Sequence, residues 1–273
     1  MSKYLDTTAY RYPNEHWILA GSFLLVILVI ILSSTATFCL SFLFVIAAVG
    51  YTYFAVQSHH RQLLQTAYQV TPQNEPELAG LAHEVATRLQ VEPVNVFIVR
   101  SKEANAYTFG LDSPKTIVLY SPLFQLMDRQ ELQFIIGHEM GHVKLGHTVL
   151  NSIVGGMAGI PASVSAALLL NLALMSWNRA CEYSADRAGM LACANPNKAI
   201  SALLKLESGS VFPAILREAL ARLDAQDDTL TGAMSEVLMT HPLVIKRIEN
   251  IRQFARSEMY QQLKNQMGQD VPA

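Results

Sequence analysis

The chain has 273 residues, of which 51% are hydrophobic and 15% are charged, whereas soluble domains typically carry about 25% charged residues. The deficit is confined to two stretches without Asp, Glu, Lys or Arg, residues 16–60 and 145–178. This distribution argues against intrinsic disorder, a simple soluble globule and a transporter with many spans. The formal net charge of −2 argues against a nucleic-acid partner, because phosphate binding needs a basic surplus.

The first charge-free stretch predicts a transmembrane helical hairpin. A spanning helix needs about 20 apolar residues, and two short spans fit at residues 17–34 and 37–56. The alternative is a secretory signal peptide with a cleavage site near Ala36. A second apolar run directly after that site disfavours the signal peptide. We therefore expect an integral protein of the inner or plasma membrane that contacts the lipid bilayer.

The flanking cations indicate the orientation of the hairpin. The positive-inside tendency predicts that both of its ends lie in the cytoplasm, because the cations stand outside it and its turn has none: Lys3, Arg11 and Arg61. The three cysteines form no CxxC pair, which supports neither a disulfide framework nor a thiolate zinc site. Cys181 and Cys193 are expected to be small buried residues.

After the hairpin, hydrophobic periodicity predicts an α+β domain that is mostly helical. The predicted elements are a helix at 76–91, three strands of a small antiparallel sheet at 94–100, 105–110 and 116–121, a long helix that begins at Asp128, and helices at 196–207, 213–223 and 242–260. Asp128 and Glu131 form a capping-box pattern. The expected divisions are 1–60 for the N-terminal segment, 61–260 for the main domain and 261–273 for a flexible tail.

The sequence His138-Glu139-Met140-Gly141-His142 lies on that long helix and is an HExxH motif. Two residues four apart share a helical face, so both imidazoles can reach one metal ion. Glu139 stands beside them, where it can take a proton from the water that the metal activates. The motif therefore predicts a zinc centre with His138 and His142 as ligands.

A catalytic zinc site needs a third protein ligand. The pattern HExxHxxGxxH is excluded, because Leu145 and Thr148 occupy its last two positions. His147 would face away on a continuing helix and is expected at the helix end or on the surface. The best remaining candidates are Glu182 and Asp186, which are four residues apart, so that one can bind the metal and the other can orient a ligand histidine.

These motifs together resemble the gluzincin peptidases that include the heat-shock protease HtpX, the CAAX prenyl endopeptidases and periplasmic quality-control proteases. The resemblance covers roughly residues 78–251 and rests on HEMGHVKLGH, a long apolar insert, ExxxD before Arg-Ala-Gly, the NAYTFG segment and a late Thr-His-Pro. The chain departs from the family in two ways: Cys181 stands where many relatives have Asn, and the insert is shorter than two full spans.

The resemblance implies a zincin-type metallopeptidase domain with one Zn²⁺ ion and assigns roles to individual residues. Glu182 joins the two histidines as the third ligand, Asp186 supports a ligand histidine, and Glu139 is the general base. His241 hydrogen-bonds the developing oxyanion. An extended polypeptide substrate pairs with the NAYTFG strand, in particular with Asn105, Ala106 and Tyr107.

The zinc site constrains the second charge-free stretch. Its two ends carry His142 and Glu182, which must meet at one ion, so the chain cannot cross a membrane once between them. Residues 149–177 are too few for two crossings, and the Gly and Pro residues at 155–161 predict a break. We expect a helical hairpin, either dipping into the bilayer or buried against protein.

The sequence thus predicts a membrane-anchored zinc endopeptidase of protein quality control that acts on extended or misfolded proteins. Two alternatives stay open at this stage. One is a catalytically silent membrane scaffold or chaperone-like binder with a relict zinc site. The other is a prenyl-type processing enzyme, although that branch has more spans than this chain can provide.

Overall fold

A computed structural model describes residues 6–36, 40–154, 165–208 and 242–269. After a short 3-10 turn (Thr7–Ala9), the described helices are α1 (Glu15–Ala36), α2 (Leu40–Thr66), α3 (Pro76–Leu89), α4 (Leu123–Leu126), α5 (Arg129–Leu145), α6 (His147–Val154), α7 (Ser165–Cys193), α8 (Pro196–Ser208), α9 (Pro242–Ala255) and α10 (Glu258–Gln269). The strands are β1 (Tyr68–Gln69), β2 (Val94–Val99), β3 (Ala106–Phe109) and β4 (Lys115–Tyr120). The mostly helical α+β prediction is confirmed.

The four strands form one mixed sheet in the order β1-β2-β4-β3. The prediction of a wholly antiparallel sheet was wrong, because β2 and β4 are parallel, with Val94 opposite Lys115. The strand with the most continuous burial, β4, takes the central position next to β2. This arrangement displaces β3 to the edge, where it pairs with β4 in antiparallel register.

The predicted capping box fixes the start of α5. Asp128 Oδ1 accepts a hydrogen bond from the Glu131 backbone N–H at 3.0 Å, and the Glu131 carboxylate accepts one from the Asp128 N–H at 2.8 Å. The Glu131 carboxylate is buried and also accepts hydrogen bonds from Ser201 and Lys205 on α8. The cap therefore sets both the first residue of α5 and its packing against α8.

Helices α5 and α7 approach closely through small residues. A Cβ atom at Gly137 would stand 2.4 Å from the Cβ of Ala192, and one at Gly189 would stand 2.7 Å from the backbone oxygen of Phe134. Real Cβ contacts are not this short, so only glycine fits at this distance between the helix axes. The tight contact brings the HExxH helix and the ExxxD helix side by side.

The C-terminal segment differs from its prediction. One helix was predicted over 242–260, but α9 ends at Ala255 and a second helix, α10, begins at Glu258. At the start of α10 the Ser257 hydroxyl accepts a hydrogen bond from the Tyr260 N–H. The flexible tail predicted from residue 261 is wrong as far as residue 269. That part of α10 is helical because Leu263 and Met267 return at helical spacing to the core and are buried.

Helix α1 contains a segment long and apolar enough to cross a membrane, Glu15–Leu32, and it is the one such segment that the described residues contain. Most of its large side chains are exposed, including Trp17 at 78% and Leu24 at 67%. A core helix would bury these side chains. Helix α2 follows after residues 37–39, which lie outside the described residues. The turn predicted between the two spans, at residues 35–36, is instead the last part of α1.

Several predictions concern positions that the structure does not describe. The helix at 213–223, His241 and the predicted break at 155–161 all lie outside the described residues. The two ends of the apolar insert are described: α6 leads into it, and α7 continues from it through Glu182 and Asp186.

Candidate metal centre

Three side chains from two helices converge on one point. His138 and His142 lie one turn apart on α5, and their Nε2 atoms are 3.2 Å apart. From α7, Glu182 Oε2 lies 3.5 Å from His138 Nε2, and Glu182 Oε1 lies 3.4 Å from His142 Nε2. The residues that the sequence predicted as metal ligands are therefore brought together.

The donor set fits a zinc ion. Ligand bonds of about 2.0–2.1 Å in a tetrahedron place the donor atoms about 3.3 Å apart, which matches the three distances above. Glu182 Oε1 is buried and has no hydrogen-bond partner within the described part of the chain. Burial alone would raise the pKa of the Glu182 carboxyl, but Arg247 and the two imidazoles hold it well below its ordinary value. The carboxylate is thus ionised and has an oxygen available for a cation.

A second carboxylate orients the first ligand. Asp186 Oδ1 lies 3.0 Å from His138 Nδ1, so it accepts that N–H and leaves the Nε2 lone pair directed at the metal position. Arg247 on α9 donates two hydrogen bonds to Asp186, at 2.8 Å and 2.7 Å, and its Nη1 lies 3.3 Å from Glu182. Asp186 therefore has the supporting position that the resemblance implied. Arg247 was given no role from the sequence.

Glu139 lies beside the metal position and is 6% exposed. Burial raises the pKa of its carboxyl, against the opposing effects of His138 and His142. A hydrogen bond with the Thr108 side chain also acts on it and favours the ionised form. Glu139 is thus next to both the predicted ligands and the edge strand, as a general base for a substrate bound there must be.

The predicted substrate strand lies at the edge of the sheet, but its residues differ in accessibility. The Asn105 oxygen accepts a hydrogen bond from Tyr120 N–H, and antiparallel alternation therefore turns the main-chain groups of Ala106 and Thr108 outward. The Asn105 side chain covers the Ala106 N–H at 2.9 Å. The side chain of Tyr107 is buried at 5% exposure and packs into the sheet. Thr108, which the sequence did not single out, lies on this edge close enough to Glu139 to lower the pKa of its carboxyl.

His147 lies at a helix end, as predicted, but it neither faces away from the predicted ligands nor lies on the surface. The helix does not continue past Leu145, because Gly146 takes a left-handed conformation with φ of 82° and ends α5. His147 then begins α6, is 2% exposed, and places its Nδ1 3.0 Å from His142 Nδ1. Burial lowers the pKa of His147 to about 4, against the opposite effect of its hydrogen bond to Glu15. A glycine directly after an apolar helix is a known C-cap signal, and it could have indicated the turn.

Glu15 is a further residue that the sequence did not single out. It is 2% exposed, and its carboxylate contacts His147, Ser184 and Arg11. Its one sequence signal is position: it is the last charged residue before the first charge-free stretch. Cys181 and Cys193 are buried free thiols, as predicted, and burial raises the pKa of Cys193 to about 11.

The chain resembles known proteins over much of its length. Residues 72–255 match the family described as Peptidase family M48. The chain is 29% identical over 214 residues to the plastoglobule-localized metallopeptidase 48 of Arabidopsis thaliana, covering 72% of this chain and 62% of that protein. It is 25% identical to a Protease HtpX homolog of Streptococcus gordonii, covering 68% and 76% of the two chains. It is 24% identical to one of Thermodesulfovibrio yellowstonii, covering 81% and 89%.

Proposed function

Because the chain belongs to peptidase family M48, as an HtpX-like metallopeptidase, we propose that it is a membrane-anchored zinc endopeptidase of protein quality control. Its substrates are extended or misfolded polypeptides, membrane proteins among them. The observation that carries the proposal is the convergence of His138, His142 and Glu182, with Glu139 beside them and Asp186 behind them.

The residues of the chain divide the chemistry between them. A zinc ion bound by the three ligands would polarise the scissile carbonyl and activate a water for attack. Glu139 takes the proton from the attacking water and passes it to the leaving amine. The burial of Glu139 keeps competing solvent away from that proton.

Substrate binding is assigned to the outer edge of β3. The outward main-chain groups of Thr108 and the carbonyl of Ala106 can pair with an extended chain, a mode in which main-chain hydrogen bonds supply the affinity. This mode suits a peptidase for unfolded segments of many proteins. Asn105 shapes the start of this edge through its side chain, and the buried Tyr107 packs with Phe109 and Val118. His241 precedes α9 and is proposed as the oxyanion donor on the resemblance alone.

The membrane part of the proposal rests on α1. Most of its large apolar side chains between residues 17 and 32 are exposed, and large exposed apolar patches need a partner or a lipid environment. The cations around the N-terminal segment favour a catalytic domain on the cytoplasmic side of the inner or plasma membrane.

Comparative proteomics tests the quality-control role. Membranes from cells that express the wild type are compared with membranes that carry Glu139→Gln, which keeps the three ligands and removes the base. We expect misfolded or unassembled membrane proteins to accumulate in the variant. Identical proteomes and identical peptide patterns in both membranes, with equal zinc content, would instead support a silent scaffold.

A further inference from the structure

A buried hydrogen-bond chain leads away from the metal position towards the N-terminus. We propose that Glu15 and His147 are positioning residues that fix which nitrogen of the zinc ligand His142 carries the proton. This inference rests on the metal centre of the proposed function, and it adds two residues to which the sequence motifs assign no role.

The hydrogen-bond chain consists of three buried side chains, each at hydrogen-bond distance from the next. His142 Nδ1 lies 3.0 Å from His147 Nδ1, and His147 Nε2 lies 3.0 Å from Glu15 Oε1. All three residues are at most 3% exposed, so water does not compete for these contacts. Two ring nitrogens this close need one proton between them, and the position of that proton has to be set by a neighbour.

Glu15 sets the direction of the protons. An ionised carboxylate only accepts hydrogen bonds, so His147 must donate to it from Nε2. In a neutral His147 the Nδ1 atom is then an acceptor, and His142 must donate to it from Nδ1. His142 is left with a lone pair on Nε2, the atom that faces His138 and Glu182. The reverse direction would place two lone pairs, those of His147 and Glu15, against each other.

The carboxylate of Glu15 is itself held in place. The Arg11 guanidinium pairs with Glu15 Oε1, and the Ser184 hydroxyl donates to Glu15 Oε2. The same Arg11 donates to the backbone oxygen of Leu145 at 3.0 Å, at the last residue of α5. Arg11 therefore fixes Glu15 relative to the end of the helix that carries His142.

The same region could in principle hold a second metal ion, since Glu15, His147 and Cys181 lie close together. Two observations favour the hydrogen-bond chain. Arg11 already neutralises Glu15, and a guanidinium beside a cation site repels the cation. Both ring nitrogens of His147 are engaged, one by His142 and one by Glu15.

The consequence is a ligand that is oriented and more basic. A ligand histidine whose second nitrogen donates towards a carboxylate binds metal more tightly, and loss of such a partner typically costs about 10- to 100-fold in metal affinity. His138 obtains this support directly from Asp186, whereas His142 obtains it from Glu15 through His147. Because Glu15 is the first residue of α1, the chain also connects the proposed membrane anchor to the zinc ligand.

The test measures zinc affinity of the full-length protein in detergent, by competition with a chelator, together with the cobalt(II) absorption spectrum. We expect about 10- to 100-fold weaker zinc binding and an altered cobalt spectrum in Glu15→Ala and in His147→Leu. The matched control is His16→Ala, because His16 is the exposed neighbour of Glu15 and should keep wild-type affinity. Glu15→Leu is close in volume, cannot accept the His147 N–H, and replaces Glu15→Ala if that variant does not fold.

A rescue variant separates positioning from packing. His147→Gln keeps an acceptor and a donor in the chain and should recover part of the affinity that His147→Leu loses, with the melting temperatures of the two metal-free proteins alike. The double variant Glu15→Ala/His147→Leu should lose no more affinity than His147→Leu, since both residues act through one hydrogen-bond chain. Additive losses, or no recovery with Gln, would overturn the proposal.

The remaining outcomes distinguish a failure of this proposal from a failure of the proposed function. Wild-type zinc affinity in the Glu15 variants would contradict the hydrogen-bond chain. If the wild type binds a second zinc equivalent that the Glu15 variants do not bind, the region is a metal site and not a hydrogen-bond chain. If Glu139→Gln still cleaves polypeptides while zinc affinity depends on Glu15, the proposed function is wrong and the role of the hydrogen-bond chain is supported. If zinc affinity is independent of Glu15 while Glu139→Gln is inactive, the reverse holds.

Discussion

At the scale of single residues, the metal site depends on hydrogen bonds that reach beyond the ligands. His138, Glu139, His142, Glu182 and Asp186 could be predicted because each pair shares a helical face at a spacing of three or four residues. The partners of these residues could not be predicted in this way. Arg247 meets Asp186 across 61 residues of sequence and Glu15 meets His147 across 132, and no local spacing records such contacts.

Arg247 provides a prediction at this scale. Its replacement by Gln removes the paired donors of Asp186 and the positive charge next to Glu182. Because a supporting partner of this kind is typically worth about 10- to 100-fold in metal affinity, we expect zinc binding of Arg247→Gln to weaken by about that factor. Chelator competition measures the change.

The control for Arg247→Gln is Lys246→Gln, which removes one positive charge from the neighbouring, exposed position of the same helix. If the two variants lose equal affinity, the effect is one of net charge and the support through Asp186 is wrong.

At the scale of secondary-structure elements, features with a short-range sequence signal could be predicted, and features that depend on the rest of the fold could not. The capping box at Asp128 was predicted correctly because Asp and Glu three residues apart satisfy each other's backbone N–H groups. The end of the same helix was not predicted, and the missed turn at Gly146 gave His147 the wrong surroundings. The parallel pairing of β2 and β4 was also missed, because strand order depends on which strand is most buried and not on sequence neighbours.

The cap of α5 can be tested by substitution. Asp128→Ala leaves the N–H of Glu131 without its side-chain acceptor, and N-cap loss typically costs about 1 kcal/mol. We expect the free energy of unfolding, measured by chemical denaturation, to fall by about that amount. The ion pair between Asp128 and Lys198 is also lost, but it is solvent-exposed and contributes little. Asp128→Ser should retain most of the stability. Equal losses for Ala and Ser would contradict a capping role.

The close contact of α5 and α7 leads to another element-scale prediction. Gly189→Ala places a methyl group against the backbone of Phe134, so the helices must separate, at a typical cost of about 1–3 kcal/mol. Since one helix carries the histidines and the other carries Glu182, zinc affinity should fall together with the melting temperature. The control is Gly80→Ala on α3, which has nothing within 4 Å and should be neutral or stabilising. Similar effects of both substitutions would refute the tight contact.

At the scale of the whole molecule, the two charge-free stretches differ in their surroundings. The second stretch enters the catalytic domain through α6 and α7 and is held at both ends by the metal site. The first contains α1, whose apolar surface is exposed. Composition alone could not separate the two, because it does not record that His142 and Glu182 converge on one candidate metal site.

Cysteine labelling tests the anchor. In a Cys39→Ala background, Leu24→Cys introduces a thiol at a position that is 67% exposed in the protein. If α1 lies in lipid, a membrane-impermeant maleimide should label this thiol in detergent but not in opened membranes. Lys102→Cys, at an exposed position of the catalytic domain, should be labelled in both. Equal labelling of the two thiols in membranes would contradict the proposed anchor.

The central claim is that one zinc ion, held by His138, His142 and Glu182, works with Glu139 to cleave peptide bonds. The most direct measurement compares purified wild type with Glu139→Gln, with zinc content and cleavage of an unfolded protein read on the same samples. We expect about one zinc per chain in both proteins, cleavage by the wild type alone, and loss of that cleavage on chelation with recovery on zinc addition. Cleavage by Glu139→Gln at the wild-type rate, or by wild type stripped of its metal, would contradict the account.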